Sequence, residues 1–430
     1  MDNHWAAFGP RLGFAYDVTG GGKTVVRGGF GIMYERIQGN DMYDAGSNIP
    51  FSLSVDTPGP VELDNPRNAL ITGSAATFPI NPASITGLDR QNYKLPLSYQ
   101  WSLGVQHSFG PKTVLSVSYV GNTNRFQSYR TETNLPDQSA LPALINGANY
   151  NTQPTLRYPG FHSINFSTNQ ASSHYNGLQV DLNSQVGRDL SLRAFYTLSR
   201  AIDSAADSRG PGGSDLSQTS NPYLGWRYDV GPSGFDRTHN ASVNFVYDIP
   251  LFRNNSSRLV KSTIGGWQIS GIVTIESGVP VNINLGGTQG GNGIPNAHNR
   301  PDLAGTISYP NTVVNCALNC NQVIQYLDPT AFAAPAIGSF GNLGHYAVRG
   351  PGRDNWNLSI FKSFTFSETR GSRLELRLET FNVWNHTQFN GVANTVTFDL
   401  ATGVRAANNF GQFNSAFDPR ILQLGGKIYF

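Results

Sequence analysis

Ser372-Arg-Leu-Glu-Leu-Arg-Leu-Glu-Thr-Phe-Asn382 is the stretch that decides how this chain reads. Successive side chains of an extended strand point to opposite faces, so Leu374, Leu376 and Leu378 share one face. Arg373, Glu375, Arg377 and Glu379 share the other, and a face with that many charges must meet water. Residues 237–249 repeat the pattern. Ala241, Val243, Phe245, Tyr247 and Ile249 lie on one face and Asn240, Ser242, Asn244 and Asp248 on the other, with Val246 the exception.

Working outward, the same period of two returns in about eleven segments: 11–17, 24–36, 97–109, 112–126, 174–186, 190–200, 237–249, 266–279, 354–366, 372–386 and 417–430. Most are near or above the roughly 9–11 residues that cross a bilayer at barrel tilt. Soluble strands usually run to about 5–6. The connections sort strictly by parity. Short links are Val18–Lys23, Gly110-Pro111, Gly187-Arg188-Asp189, Pro250–Gly265 and Ser367–Gly371; long Gly/Pro/Asn-rich links are 37–96, 127–173, 201–236, 280–353 and 387–416. Short turns on one side and long loops on the other suit an antiparallel transmembrane barrel, and a soluble sandwich has no reason to sort its loops this way.

Composition agrees. Charged residues are only 13% and aromatics 11% of the 430 residues, while Gly, Asn, Ser, Thr and Gln supply most of the polarity. That mixture is poor for helices and suits strands joined by tight turns. The net charge of +2 and the lack of any Lys/Arg-rich block argue against a nucleic-acid partner. No apolar run reaches the roughly 18 residues of a membrane helix. Met1-Asp-Asn-His-Trp5 lacks the basic start and apolar core of a signal peptide, so the natural start of the polypeptide is expected upstream.

Aromatic placement adds a partly independent signal. With short turns on the periplasmic side, Tyr16, Phe109, Tyr247, Trp267, Phe364 and Phe430 fall at periplasmic strand ends of the apolar faces. Tyr34, Tyr99, Trp101, Tyr119, Tyr196 and Trp356 fall toward the outer ends, which makes two girdles around an apolar band. His107 and Lys362 share the apolar parity near the periplasmic ends, where their polar tips can reach water. The last strand alternates Leu422, Leu424, Gly426, Ile428 and Phe430 with more polar neighbours, and stops on an aromatic.

Several short stretches then become informative together. Phe340-Gly-Asn-Leu-Gly-His-Tyr-Ala-Val-Arg-Gly-Pro-Gly-Arg-Asp-Asn-Trp356, running on into Asn357–Lys362, resembles a segment of the Oar-like TonB-dependent transporters. So do Pro10–Asp17, Arg27–Gly31, Ser118–Gly121, Tyr175–Val180, Phe235-Asp-Arg237, Gly266–Gly271, Glu379–His386 and Asp418-Pro-Arg420. The resemblance implies an all-β fold in the Gram-negative outer membrane, with residues 1–430 supplying about eleven strands of a 22-strand barrel. It also implies a plug, a TonB box and a signal peptide, none of which is found in these residues. Such a fragment is expected to be open or incompletely closed. The terminal Leu422, Leu424, Ile428 and Phe430 resemble the signal read by the outer-membrane assembly machinery.

Other chemistry reads weakly. Cys316 and Cys320, the two cysteines, are spaced C-x3-C in a Gly/Pro/Asn-rich loop. A small loop disulfide is favoured over half a zinc site, since only His298 and His345 share that loop. Gly29-Phe-Gly31 sits mid-strand with no following helix, so it eases bending or packing and does not cradle phosphate. The Arg373/Glu375/Arg377/Glu379 spacing makes a lumen-facing charge ladder, not an acid/base cluster. Asp203, Asp207 and Asp215 lack EF-hand spacing and read as a solvated loop. His174, His239 and His386 read as surface histidines near outer strand ends, with a shared metal site left open. Neither an enzyme nor a cofactor is expected. By resemblance the function is TonB-energised uptake of a scarce, bulky, unknown small solute, with outer-membrane lipid and the TonB system (through the absent N-terminal parts) as partners. The alternative is a non-transporting surface or adhesion barrel whose extracellular loops bind a partner.

Overall fold

The computed structural model describes residues 7–35, 46, 48, 83–89, 93–141, 156–159, 161–204, 219–252, 255–286, 299–315, 322–367, 372–399 and 402–430. Its main element is a wall of eleven antiparallel strands, each paired to the next in chain order. They are β1 (Arg11–Asp17), β2 (Thr24–Tyr34), β3 (Leu97–Ser108), β4 (Thr113–Glu132), β5 (Phe161–Val186), β6 (Leu190–Asp203), β7 (His239–Ile249), β8 (Trp267–Glu276), β9 (Arg353–Ser367), β10 (Ser372–Phe381) and β11 (Ile421–Tyr429). Two short pieces join off this path: Ala83–Leu88 pairs parallel to β5, and Gly231-Pro232 pairs with β6. The wall does not close. Among the described residues β1 pairs only with β2, and β11 only with β10.

The register shows what the alternation is for. One lateral row runs Tyr16, Val26, Val105, Val117, Val180, Tyr196, Ala241 and Ile275 across successive strands. The row one residue along runs Arg27, Gly104, Ser118, Gln179, Thr197, Asn240, Glu276 and Arg353. Nearer the C-terminus, Leu424, Leu378, Ile360, Ile269, Tyr247 and Leu190 form a continuous apolar row. Its polar companion is Gln423, Glu379, Ser359, Ser270, Val246 and Ser191, so Val246 is a lone apolar residue between two serines. The apolar rows stay open to their surroundings: Leu103, Val105, Tyr119, Leu178, Ile360 and Leu376 are all exposed. A sheet of this extent with one bare apolar face is built for lipid.

Close packing on that face uses residue size. A Cβ on Gly121 would lie 2.5 Å from the ring of Trp101, its cross-strand partner, so glycine there lets the indole lie flat over the neighbouring strand. The two polar residues of the apolar parity find local partners. His107 Nδ1 is 2.8 Å from Thr24 Oγ1 and its ring meets the Phe109 ring edge-on. The Lys362 ammonium lies over the rings of Trp267 and Phe364 and donates to the Gly265 carbonyl in the short link.

The structure corrects several boundaries. β10 ends at Phe381 and not at 386, because Asn382 and Asn385 both take positive φ and turn the chain. β11 starts at Ile421, four residues later than the alternation implied. β4 and β5 are longer, at 20 and 26 residues, and all the excess lies on the long-link side, since their other ends enter tight turns. The link 250–265 carries a short helix, Arg258–Thr263, whose first turn is capped by the Ser257 side chain.

The long links are folded. The main buried apolar cluster lies in residues 280–349 and 389–416 and contains Ile283, Leu327, Phe332, Leu343, Val348 and Phe410. Five two-stranded pieces hold it, among them Asn284–Gly286 running parallel to Thr395–Thr397. Phe389 and Phe413 stack at 3.9 Å, and Phe332 meets Phe410 edge-on at 5.3 Å. Burying each such side chain contributes about 1.5–3 kcal/mol, enough to hold irregular backbone in one arrangement.

Candidate functional site

The polar face of the wall and the folded links above it carry the chain's charged and buried polar clusters. The charge ladder keeps its common face. Arg377 Nε lies 3.8 Å from Glu379 Oε2, the Arg373 guanidinium covers the Tyr429 ring at 3.9 Å, and Glu375 stands opposite Lys427 on β11. Arg373 and Glu375 also border a cleft of about 410 Å³ at the short-link end, with Asp248, Gln268 and Lys261 of the short helix. Charges spread singly along one face lack the converging geometry of an acid/base pair.

At the opposite end, the scattered motifs of the sequence meet. Arg349 forms an ion pair with Asp236 and donates from Nη1 to the Asp236 carbonyl at 3.1 Å. Asp236 in turn accepts from the Ala201 backbone at 2.6 Å, and Arg237 pairs with Glu276 at 2.9 Å. A Cβ on Gly278 would collide with the Gly350 carbonyl, so the Arg-Gly-Pro-Gly run crosses directly over the exit of β8. A second seam joins β9, β10 and β11. Asn382 donates its backbone N–H to Asn357 Oδ1 and its side chain to the carbonyls of His386 and Asp418, while Asn385 Oδ1 accepts from Arg420 N.

A third tie is wholly buried. Arg300 and Asp229 are each 1% exposed, pair at 2.9 Å, and join the 219–236 link to the 299–349 link. The guanidinium lies 3.9 Å from the Tyr228 ring centre and donates to the carbonyls of Leu343 and Tyr228; Asp229 also accepts from Ser220 N. Burial pushes the Tyr228 phenol up to about 12, with Arg300 opposing the shift, and burial does the same at Tyr223 and Tyr326. Glu132, also buried, accepts from Ser163 Oγ, Ile164 N and Asn134 N.

Residues 1–423 match the family model described as outer membrane beta barrel domain. The chain belongs to this family. The apolar face of this barrel domain therefore faces the outer membrane of a Gram-negative cell. No curated protein matches the chain. Among solved structures, the outer membrane transporter YddB from Escherichia coli is similar at 12% identity, with a TM-score of 0.48, over 97% of this chain and 40% of its own length. The pyoverdine receptor FpvA from Pseudomonas aeruginosa (10% identity, TM-score 0.43) and the siderophore receptor PiuA from Acinetobacter baumannii (9%, 0.41) are covered over 36% and 35% of their lengths. The chain thus spans well under half of each of these proteins.

The barrel domain separates the three histidines of the sequence reading. His174 bonds Thr123 on β4, His239 bonds Tyr196 on β6, and His386 pairs with Asp354 at 2.6 Å. No group of three metal-ligating side chains occurs among the described residues. Cys316 and Cys320 lie outside the described residues, as do Asp207 and Asp215. Arg300, Asp229 and Glu132 were not singled out from sequence, since each pairs with a residue far along the chain and no local spacing marks it; Asp236 stood within a quoted motif, but its pairing with Arg349 had no local signal.

Proposed function

We propose that residues 1–430 are the second half of a larger outer-membrane barrel that takes up a scarce, bulky solute with energy delivered through TonB. The observation that carries this reading is the unclosed wall. Its two free edges, on β1 and β11, expose N–H and C=O groups that cost several kcal/mol apiece in hydrocarbon, so further strands are needed to cover them. The polar face, with Arg373, Glu375, Arg377 and Glu379, would line the lumen around a plug, and the folded links would sit outside the cell. Leu422, Leu424, Ile428 and Phe430 would serve as the strand read by the assembly machinery, exposed as they are along a free edge. Removing Phe430 should then lower outer-membrane yield without lowering synthesis. The Cys316–Cys320 disulfide remains part of this proposal.

The test compares cells with and without the gene for solutes removed from spent growth medium, before and after collapse of the proton-motive force. Uptake should require both the gene and the force, and should vanish when only residues 1–430 are supplied behind a signal peptide. Force-dependent uptake by residues 1–430 alone would contradict the half-barrel reading. Solute or partner binding without any uptake by the full gene product would favour a surface barrel.

A further inference from the structure

We infer that the groove between the tops of β4 and β5 and the 225–229 turn is a binding site for a small organic anion with a planar ring. The groove holds about 600 Å³, within the usual range for small-molecule sites. Three cationic side chains border it, Lys94, Arg125 and Arg227, all exposed, against one carboxylate, Asp89. The whole chain carries a net charge of only +2, so this is a local concentration of positive charge. Two aromatic rings share the groove with these cations: the Lys94 ammonium lies 4.9 Å from the Phe126 ring centre and the Arg227 guanidinium 5.7 Å from that of Trp226. Cations beside aromatic faces suit a ligand that is both charged and flat.

The backbone supports a built site. The β4–β5 pairing slips at Asn124/Gln127 and again at Gln127/Tyr129, and within the first slip Phe126 takes φ 59°, a conformation that bulky residues avoid. Bulges and strained residues of this kind re-aim side chains, here toward the groove. The Thr168 hydroxyl borders the same groove, is shielded from solvent and has no hydrogen-bond partner among the described residues. The walls are held in place from behind. The Lys94 backbone is tied to the Asn169 amide, and the turn bearing Trp226 and Arg227 ends on Asp229, which Arg300 pins. A site whose walls are fixed before the ligand arrives avoids the cost of ordering them.

This inference rests on the uptake reading for its biological meaning, but its test needs no energised membrane. De-energised outer-membrane vesicles carrying the protein are titrated with riboflavin 5′-phosphate, neutral riboflavin and inorganic phosphate, following ligand fluorescence. Riboflavin 5′-phosphate should bind saturably, at least tenfold more tightly than riboflavin or phosphate alone, and should weaken as salt is raised to ~0.5 M. The K94Q/R125Q/R227Q variant should lose at least tenfold, and Trp226→Leu should weaken both flavins alike. Because all four substituted side chains lie at the surface of the groove, folding is checked by heat-modifiability, with Arg227→Gln alone as the milder variant. No binding, equal binding of the two flavins, or wild-type affinity in the triple variant would overturn the site while leaving the uptake reading standing.

Discussion

Arg300 is the bulkiest fully buried side chain among the described residues; its contacts with Asp229 and Tyr228 tie one long link to another, and its contact with Leu343 braces its own link. Removing one partner of such a pair strands the other charge out of water, so Arg300→Ala should cost roughly 3–5 kcal/mol. The double change Arg300→Met with Asp229→Leu replaces both charges and should be much milder. Thermal unfolding in detergent measures both, and a double variant as unstable as the single one would contradict the account. A second residue-scale prediction concerns β10. Leu376→Arg puts a charge on the lipid face and should cost about 2–4 kcal/mol if it lies near the midplane, whereas Arg377→Leu changes the hydrated face and should cost far less. Equal losses in a reversible folding titration into lipid would refute the facing.

At the scale of elements, the folded links behave as a small domain with its own core, and their buried phenols give them a pH limit. Tyr223, Tyr228 and Tyr326 are held up to about 12 chiefly by burial. In the unfolded chain each would ionise near 10. The folded links hold these protons longer, so their stability is full below about pH 10 and falls as pH rises toward 12. Near-UV circular dichroism should show the aromatic signal of the links collapsing in that window while the far-UV strand signal persists; Tyr228→Phe should move the midpoint upward. Loss of both signals together would show that links and wall are one cooperative unit. The wall strands were legible in the sequence because lipid on one side and water on the other impose a period of two, as at Leu374–Glu379. The tops of β4 and β5 were not, because beyond the membrane other links pack against both faces and the alternation dissolves. The link core was invisible for a different reason: pieces of two to four residues, such as Asn284–Gly286 and Thr395–Thr397, pair across more than a hundred positions and show no period. The motifs at Phe235–Arg237 and Phe340–Trp356 could be seen, but their meeting at Asp236 and Arg349 could not.

For the whole molecule, one membrane-facing surface organises everything else: it sets strand length, sends bulk to one end, and leaves two edges in want of partners. The most direct test of that surface is a set of single spin labels at positions 373 to 379 on β10, in a Cys316→Ser, Cys320→Ser background, in outer-membrane vesicles. Collision with oxygen, which concentrates in lipid, is compared with collision with a water-soluble nickel chelate. The account predicts a strict period of two, with positions 374, 376 and 378 favouring oxygen and 373, 375, 377 and 379 favouring nickel. Uniform accessibility along the strand, or the opposite phase, would contradict it.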